Sequence, residues 1–213
     1  MNSSKIYPLI AKEGWPFLLA GLLLAILSSY YQLSVSWIFW AIFIFMLQFF
    51  RDPKRNVNNG KNIITSSADG RVIEIKKTLD PYQKKQSIKV SVFMNVFNVH
   101  SNKIPISGQI IGKFYFPGEF INASLSKASL ENERCAIIIK TKDNKIITCV
   151  QIAGLIARRI LCYRETKDIV NIGERYGFIR FGSRVDLYLP LNASVKVILG
   201  QKVKNTETVI ATL

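Results

Sequence analysis

The chain has 213 residues, of which 29 are Lys or Arg and 14 are Asp or Glu, for a formal charge of +15. A surplus of that size points to an anionic partner, either nucleic acid or an anionic phospholipid membrane. Residues 15 to 50 contain no charge over 36 positions, and no nucleic-acid recognition motif accompanies the basic residues, so the sequence excludes nucleic acid and favours the membrane.

The first predicted element in chain order is a pair of helices. Leu22-Leu23-Leu24 and the run from Trp37 to Phe45 are apolar, with a polar waist at Ser28, Ser29, Gln32, Ser34 and Ser36 between them. A spanning helix needs roughly 20 apolar residues. The tract is therefore too long for one span and short for two. It predicts a hydrophobic, membrane-associated helical hairpin over residues 1–50. Lys5 and Lys12 precede it and Arg51, Lys54 and Arg55 follow it, which puts both ends at the cytoplasmic face of the cell membrane. A cleaved signal peptide does not fit, because a second apolar stretch follows Leu27-Ser28-Ser29 at once.

Residues 51–213 read differently. Short β-type runs alternate with turn residues: Ile63-Ile64, Arg71 to Ile75, Ser87 to Phe93, Gly108 to Phe116, Cys135 to Lys140, Lys145 to Ile152, Gly177 to Phe181, Arg184 to Leu189 and Ser194 to Leu199. Such spacing predicts a mainly β domain. The segment from Ala153 to Leu161 reads as one or two helical turns. The stretch from Gly200 to Ala211 resembles the closing hairpin of biotinyl and lipoyl carrier domains, which are flattened barrels of two small sheets. The fold expected is thus a flattened, sandwich-like β barrel behind a helical hairpin. Those carriers display a modifiable lysine beside a Met, whereas Met94 is followed by Asn95. A non-catalytic, membrane-tethered carrier or adaptor is the alternative from another functional class.

Cys135, Cys149 and Cys162 are odd in number, lie among apolar residues and lack metal-ligand spacing. They read as reduced thiols of a cytosol-facing domain, with no metal. The chain has one histidine, His100, and imidazole is the side chain that titrates near neutrality without help. If proton transfer occurs here, His100 is the first candidate. Asp69-Gly70 and Gly182-Ser183 are, taken singly, ordinary turn pairs. Asp186 reads as a surface or ladder residue.

Four separated segments carry more weight together. They are Phe49-Phe50-Arg51-Asp52-Pro53, Ala68-Asp69-Gly70, Asn95-Val96-Phe97-Asn98-Val99-His100, and Arg180-Phe181-Gly182-Ser183-Arg184-Val185-Asp186. Gln151-Ile152-Ala153-Gly154-Leu155-Ile156-Ala157-Arg158-Arg159 lies between the third and fourth. In this order and spacing the segments closely resemble the short prokaryotic form of phosphatidylserine decarboxylase proenzymes. The resemblance runs from about Gln48 to the C-terminus, and the preceding apolar hairpin matches the layout of that family.

The resemblance implies a proenzyme that cuts itself between Gly182 and Ser183, giving a β chain of residues 1–182 and an α chain of residues 183–213. The Ser183 hydroxyl would attack the Gly182 carbonyl to give an ester. β-Elimination would free the upstream chain, and hydrolysis with loss of ammonia would leave a pyruvoyl group at position 183 as the cofactor. An unactivated serine needs a base. His100 would fill that role, with Asp69 orienting the imidazole and stabilising its cation. Glycine at 182 permits a strained turn that exposes its carbonyl. The pyruvoyl ketone would then condense with the amine of phosphatidylserine and accept the electrons released with CO2, yielding phosphatidylethanolamine. Longer members carry a second histidine three positions earlier, where this chain has Phe97. His100 would therefore serve both steps, unless a water or a lysine assists. Arg158 and Arg159 are candidates for the lipid phosphate or neighbouring head groups. The cleaved α and β chains would stay together as a heterodimer, with further oligomerisation left open. The same chemistry on another serine-linked lipid, such as archaetidylserine, is the nearest enzymatic alternative.

Overall fold

The apolar tract folds as two helices, α1 (Trp15–Tyr30) and α2 (Ser36–Phe49). The structure is a computed structural model that describes residues 9–58, 60, 62–125, 128–154, 159–180 and 183–213. Pro16 lies in the first turn of α1, where its fixed φ suits a helix start and its missing N–H costs nothing. The two ends of the hairpin are tied: Ala11 N donates to Phe50 O and Asp52 N to Leu9 O, both at 2.7 Å. Gly21 lets the helices close, since a Cβ there would lie 3.2 Å from Met46 Sδ. Two serines of the polar waist are satisfied inside the hairpin. The Ser28 and Ser29 hydroxyls donate to Ala25 O, and Trp40 Nε1 donates to Ser29 Oγ at 3.0 Å. In hydrocarbon each unmet polar group would cost several kcal/mol. Leu19, Leu23, Leu24, Trp37 and Ile44 are each more than half exposed. Lys12–Tyr30 is long and apolar enough to cross a membrane. The 14 residues of α2 reach only about 21 Å at about 1.5 Å per residue, short of a roughly 30 Å hydrocarbon core.

The chain divides into two compact units, Met1–Lys54 and Arg55–Leu213. The second is mainly β, as its alternating runs predict. Its described strands are β1 (Ile63–Thr65), β2 (Gly70–Asp80), β3 (Lys85–Met94), β4 (Ser101–Lys103), β5 (Gly108–Phe116), β6 (Arg134–Lys140), β7 (Ile146–Ala153), β8 (Ile160–Cys162), β9 (Ile169–Val170), β10 (Arg175–Ile179), β11 (Ser183–Leu189), β12 (Ser194–Val195), β13 (Lys202–Val203) and β14 (Val209–Thr212). A short helix, α3 (Ala128–Glu131), precedes β6. One sheet has eight strands in the order β13-β2-β3-β11-β7-β6-β5-β9, and two three-stranded sheets are ordered β1-β14-β12 and β4-β10-β8.

Side-chain alternation explains how the large sheet is covered on both faces. Val90, Val92 and Met94 of β3, Cys135, Ile137 and Ile139 of β6, and Val185, Leu187 and Leu189 of β11 point into one continuous core. The intervening Ala136, Val150, Ile152 and Tyr188 pack on the opposite face with Tyr82. Successive strand residues point to opposite faces, so these two sets are what the sequence period dictates. β2 carries a bulge between Val72 and Glu74: Val72 pairs with Val92, but Glu74 pairs with Ser91. The bulge inverts the parity of β2 beyond that point.

Three expectations need correction. The segment from Ala153 to Leu161 is not helical where it is described: Ala153 ends β7 and Ile160 opens β8, and residues 155–158 lie outside the described set. The stretch from Gly200 to Ala211 is not a closing hairpin. β13 pairs with β2, while β14 pairs with β1 and β12. Between them Asn205 N donates to Asp69 Oδ1 and Thr206 N to Ser66 O, so the turn is bonded outward and its two arms join different sheets. The run from Ser194 to Leu199 is strand only at Ser194–Val195, and Ile198 and Leu199 are exposed.

Candidate active site

Ser183 opens β11, with Met94 of β3 opposite on one side and Ala153 of β7 on the other. It is fully buried. Its hydroxyl donates to Met94 Sδ at 3.3 Å, and so is turned to the thioether rather than to a nitrogen base. The same sulfur receives Asn102 Nδ2 at 3.8 Å, and Asn102 Oδ1 accepts Gln151 Nε2 at 2.8 Å. All three partners are buried. Gly177 makes room for this chain of contacts, because a Cβ there would lie 2.4 Å from both Gln151 Nε2 and Leu161 O.

His100 closes a loop that asparagines build. Asn98 Oδ1 accepts Asn95 N at 2.9 Å, Asn95 Oδ1 accepts Phe97 N at 3.0 Å, and Asn98 N donates to Asn95 O. Asparagine side chains stabilise turns in this way. Phe97 is left largely exposed at the tip, while His100 is fully buried. Its Nδ1 lies 3.0 Å from Asn98 O. A carbonyl only accepts, so Nδ1 carries the proton in this bond. In the neutral ring the basic lone pair is then on Nε2.

Asp69 precedes β2 and is buried. Its Oδ2 pairs with Arg55 Nη2 at 2.6 Å and its Oδ1 accepts Asn205 N at 2.9 Å. Asn205 Nδ2 donates onward to Ser101 O, the residue after His100. Glycine is required at position 70: a Cβ would lie 2.0 Å from Phe93 O. That close approach sets Asp69 beside the end of β3, where Met94 faces Ser183. Contacts thus run from Asp69 through Asn205 to Ser101 O, the residue after His100, and from Ser183 through Met94 to Asn102, two residues after it.

Gly182 and Arg158 lie outside the described residues. Arg159 is exposed just before β8. The three cysteines are free thiols. A hydrogen bond between the Cys135 and Cys162 thiols holds Cys162 below the usual thiol range, and the same bond, with burial, drives Cys135 up. Burial pushes Cys149 up to about 11. Among the described residues no cluster of three His, Cys, Asp or Glu is arranged to hold a metal.

The family model for phosphatidylserine decarboxylase matches residues 42–211. The chain belongs to the phosphatidylserine decarboxylase family. A phosphatidylserine decarboxylase proenzyme of Ralstonia pickettii is 52% identical over the whole length of both chains. One of Aromatoleum aromaticum is 49% identical, also over the whole of both. One of Polynucleobacter asymbioticus is 53% identical over 97% of this chain and 96% of its own. The decarboxylase relatives thus resemble this chain through both its hairpin and its β unit.

Sequence reasoning missed Arg55, Met94, Asn102, Gln151 and Asn205, all of which touch the candidate residues or their immediate supports. Gln151 opens the segment that runs to Arg159 but carries no sign of its contact there; no motif marks the other four. Asn205 stands in a polar Lys-Asn-Thr-Glu turn that looks like solvent-facing sequence. Met94 and Gln151 look like ordinary strand residues.

Proposed function

We propose that the chain is a proenzyme that cuts itself between Gly182 and Ser183, then decarboxylates phosphatidylserine to phosphatidylethanolamine and CO2. The observation that carries this reading is the position of Ser183: buried at the head of a central strand, in the same neighbourhood as a histidine whose Nδ1 is committed to a carbonyl. For the cut, the Ser183 hydroxyl turns from Met94, passes its proton to His100 Nε2 and attacks the Gly182 carbonyl. Asp69 lends negative charge as the imidazole becomes cationic. His100 returns the proton to the departing Ser183 nitrogen, leaving an ester. Loss of the α proton of residue 183 expels the Gly182 carboxylate, and water then releases ammonia.

The site suits a pyruvoyl group at position 183. That group is uncharged and small, and its place is buried between Met94 and Ala153 with no cationic amine bonded to Ser183 among the described residues. When formed, it supplies the carbonyl that condenses with the substrate amine and draws off the electrons released with CO2. His100 Nε2 holds and delivers the proton that the substrate α carbon takes up. Met94 and Ala153 exclude water from the buried position. The two chains stay together because the small one is woven into the large: β11 lies between β3 and β7, β13 pairs with β2, and β14 pairs with β1.

The hairpin, with its apolar outer residues, would hold residues 51–213 at the cytoplasmic face of the cell membrane, where the lipid substrate lies. The +15 charge favours an anionic leaflet, and Arg158 and Arg159 would meet head-group phosphates. The test uses the full-length protein and vesicles containing phosphatidylserine labelled in its carboxyl group. Labelled CO2 and phosphatidylethanolamine are expected from the wild type, and neither from Ser183→Ala, which should migrate as one chain. A wild-type chain that remains whole and releases no CO2 overturns the reading.

A further inference from the structure

We propose that Arg184 is a positioning residue that locks the new chain end in place after the Gly182–Ser183 bond is cut; this rests on the self-cutting reading above. Ser183 and Arg184 are neighbours on β11 and so point to opposite faces of the sheet. Ser183 faces the main core with Met94. Arg184 faces the other side and is the largest fully buried side chain among the described residues. Its Nε donates to Asp186 Oδ1 at 2.5 Å, its Nη2 to Glu74 Oε2 and Ser91 Oγ at 2.8 Å each, and its Nη1 to Leu125 O at 3.3 Å.

The clamp is assembled from three adjacent strands. Ser91 of β3 pairs with Glu74 of β2 on one side and with Asp186 of β11 on the other. Glu74 reaches this face only because the bulge after Val72 inverts the parity of β2. Lys89 Nζ bonds Glu74 at 2.6 Å and lies 3.9 Å from Asp186. Two buried cations thus meet two carboxylates. A buried guanidinium is costly unless its hydrogens are met, and a planar fork matches this set where an ammonium cannot.

The cut gives the clamp its purpose. Before it, Ser183 is held by covalent bonds on both sides. After it, residue 183 is a chain end, and chain ends fray unless tied down. A slip of one residue along β3 and β7 would carry position 183 to the opposite face. Arg184 is the second residue of the new chain, and its bonds to Glu74, Ser91 and Leu125 all cross to the other chain. They fix register and depth at the point where the reacting group must meet His100.

Arg184→Lys keeps the charge and removes the fork. The expected result is self-cutting within twofold of wild type, an unchanged carbonyl content of the small chain, and a kcat at least tenfold lower with KM for lipid within twofold. Backbone hydrogen exchange at residues 184–187 should speed up more in the cut protein than in the uncut Ser183→Ala background, whereas a merely structural role would move both equally. If Arg184→Lys does not fold, Ser91→Ala leaves the guanidinium in place, removes only the hydroxyl that accepts from Arg184 and donates to Glu74, and should lower kcat about threefold in the same pattern. A wild type that fails to cut overturns the parent reading and this one with it. A wild type that cuts, with kcat retained in the folded variants, overturns this one alone.

Discussion

The hydroxyl of Ser183 donates to the thioether of Met94 across the β11–β3 pair at 3.3 Å. A thioether is a weak acceptor and no base. The proposed nucleophile is therefore parked, and cutting requires it to turn toward His100. A neutral hydrogen bond is worth about 1 kcal/mol, roughly a fivefold ceiling on the delay it imposes. Met94→Leu keeps the volume of the side chain and removes the acceptor. Pulse-labelled Met94→Leu precursor should disappear up to about fivefold faster than wild type. Slower cutting would mean that Met94 holds the serine in its reactive pose.

Gly177→Ala should disable the site from a distance. The added Cβ would sit 2.4 Å from Gln151 Nε2 and from Leu161 O, and the second of these is backbone that cannot step aside. Overpacking of this kind costs about 1–3 kcal/mol. The expected outcome is a lower unfolding temperature and slow cutting, read by calorimetry and denaturing electrophoresis. A variant with wild-type stability and cutting would show that β10 and Gln151 are not held tightly.

The clamp under Arg184 should make stability depend on acid. Burial raises the Glu74 carboxyl, but hydrogen bonds from Lys76 and Lys89 and the charges of Lys89 and Arg184 outweigh it and bring it from 4.5 down to about 2. A carboxylate lowered in the folded state adds stability above its unfolded value and loses it as pH falls through the folded one. The Glu74 contribution should be full above about pH 4.5 and fade toward pH 2. In the uncut Ser183→Ala background, Glu74→Gln should melt well below its parent at pH 7, with the gap closing as pH falls through that window. A gap constant from pH 7 to pH 2 would contradict the assignment.

The cysteines should differ in reactivity. Cys162 is half-buried and its thiol is lowered by the bond from Cys135, whereas Cys135 is driven up and Cys149 is buried and raised. The thiolate is the reactive form. Brief alkylation of the native protein at pH 7, followed by peptide mass analysis, should label Cys162 first. First labelling at Cys149 would contradict this.

The sequence made strands legible where alternation was long. The run Gly108 to Phe116 is β5 residue for residue. β4, β8 and β9 have only two or three residues each, too few to show a period. Alternation also marks a strand without naming its partner, which is why residues 200–211 read as a hairpin although β13 and β14 join different sheets. The segments around Asp69, His100 and Ser183 were legible because each belongs to a motif. Their supports were not, because Asn205 and Arg55 reach Asp69 only through the folded chain. Asp186 looked like a surface or ladder residue. It is a ladder residue but fully buried, and its partner Arg184 is joined to Glu74 through a parity change that no one-strand pattern displays.

The intact masses of the purified protein show whether the chain cuts itself and forms the pyruvoyl group. Two chains are expected, residues 1–182 and 183–213, with the smaller one lighter than the peptide Ser183–Leu213 by one ammonia. A single species at the mass of the whole chain would contradict that expectation, as would a small chain that retains an N-terminal serine.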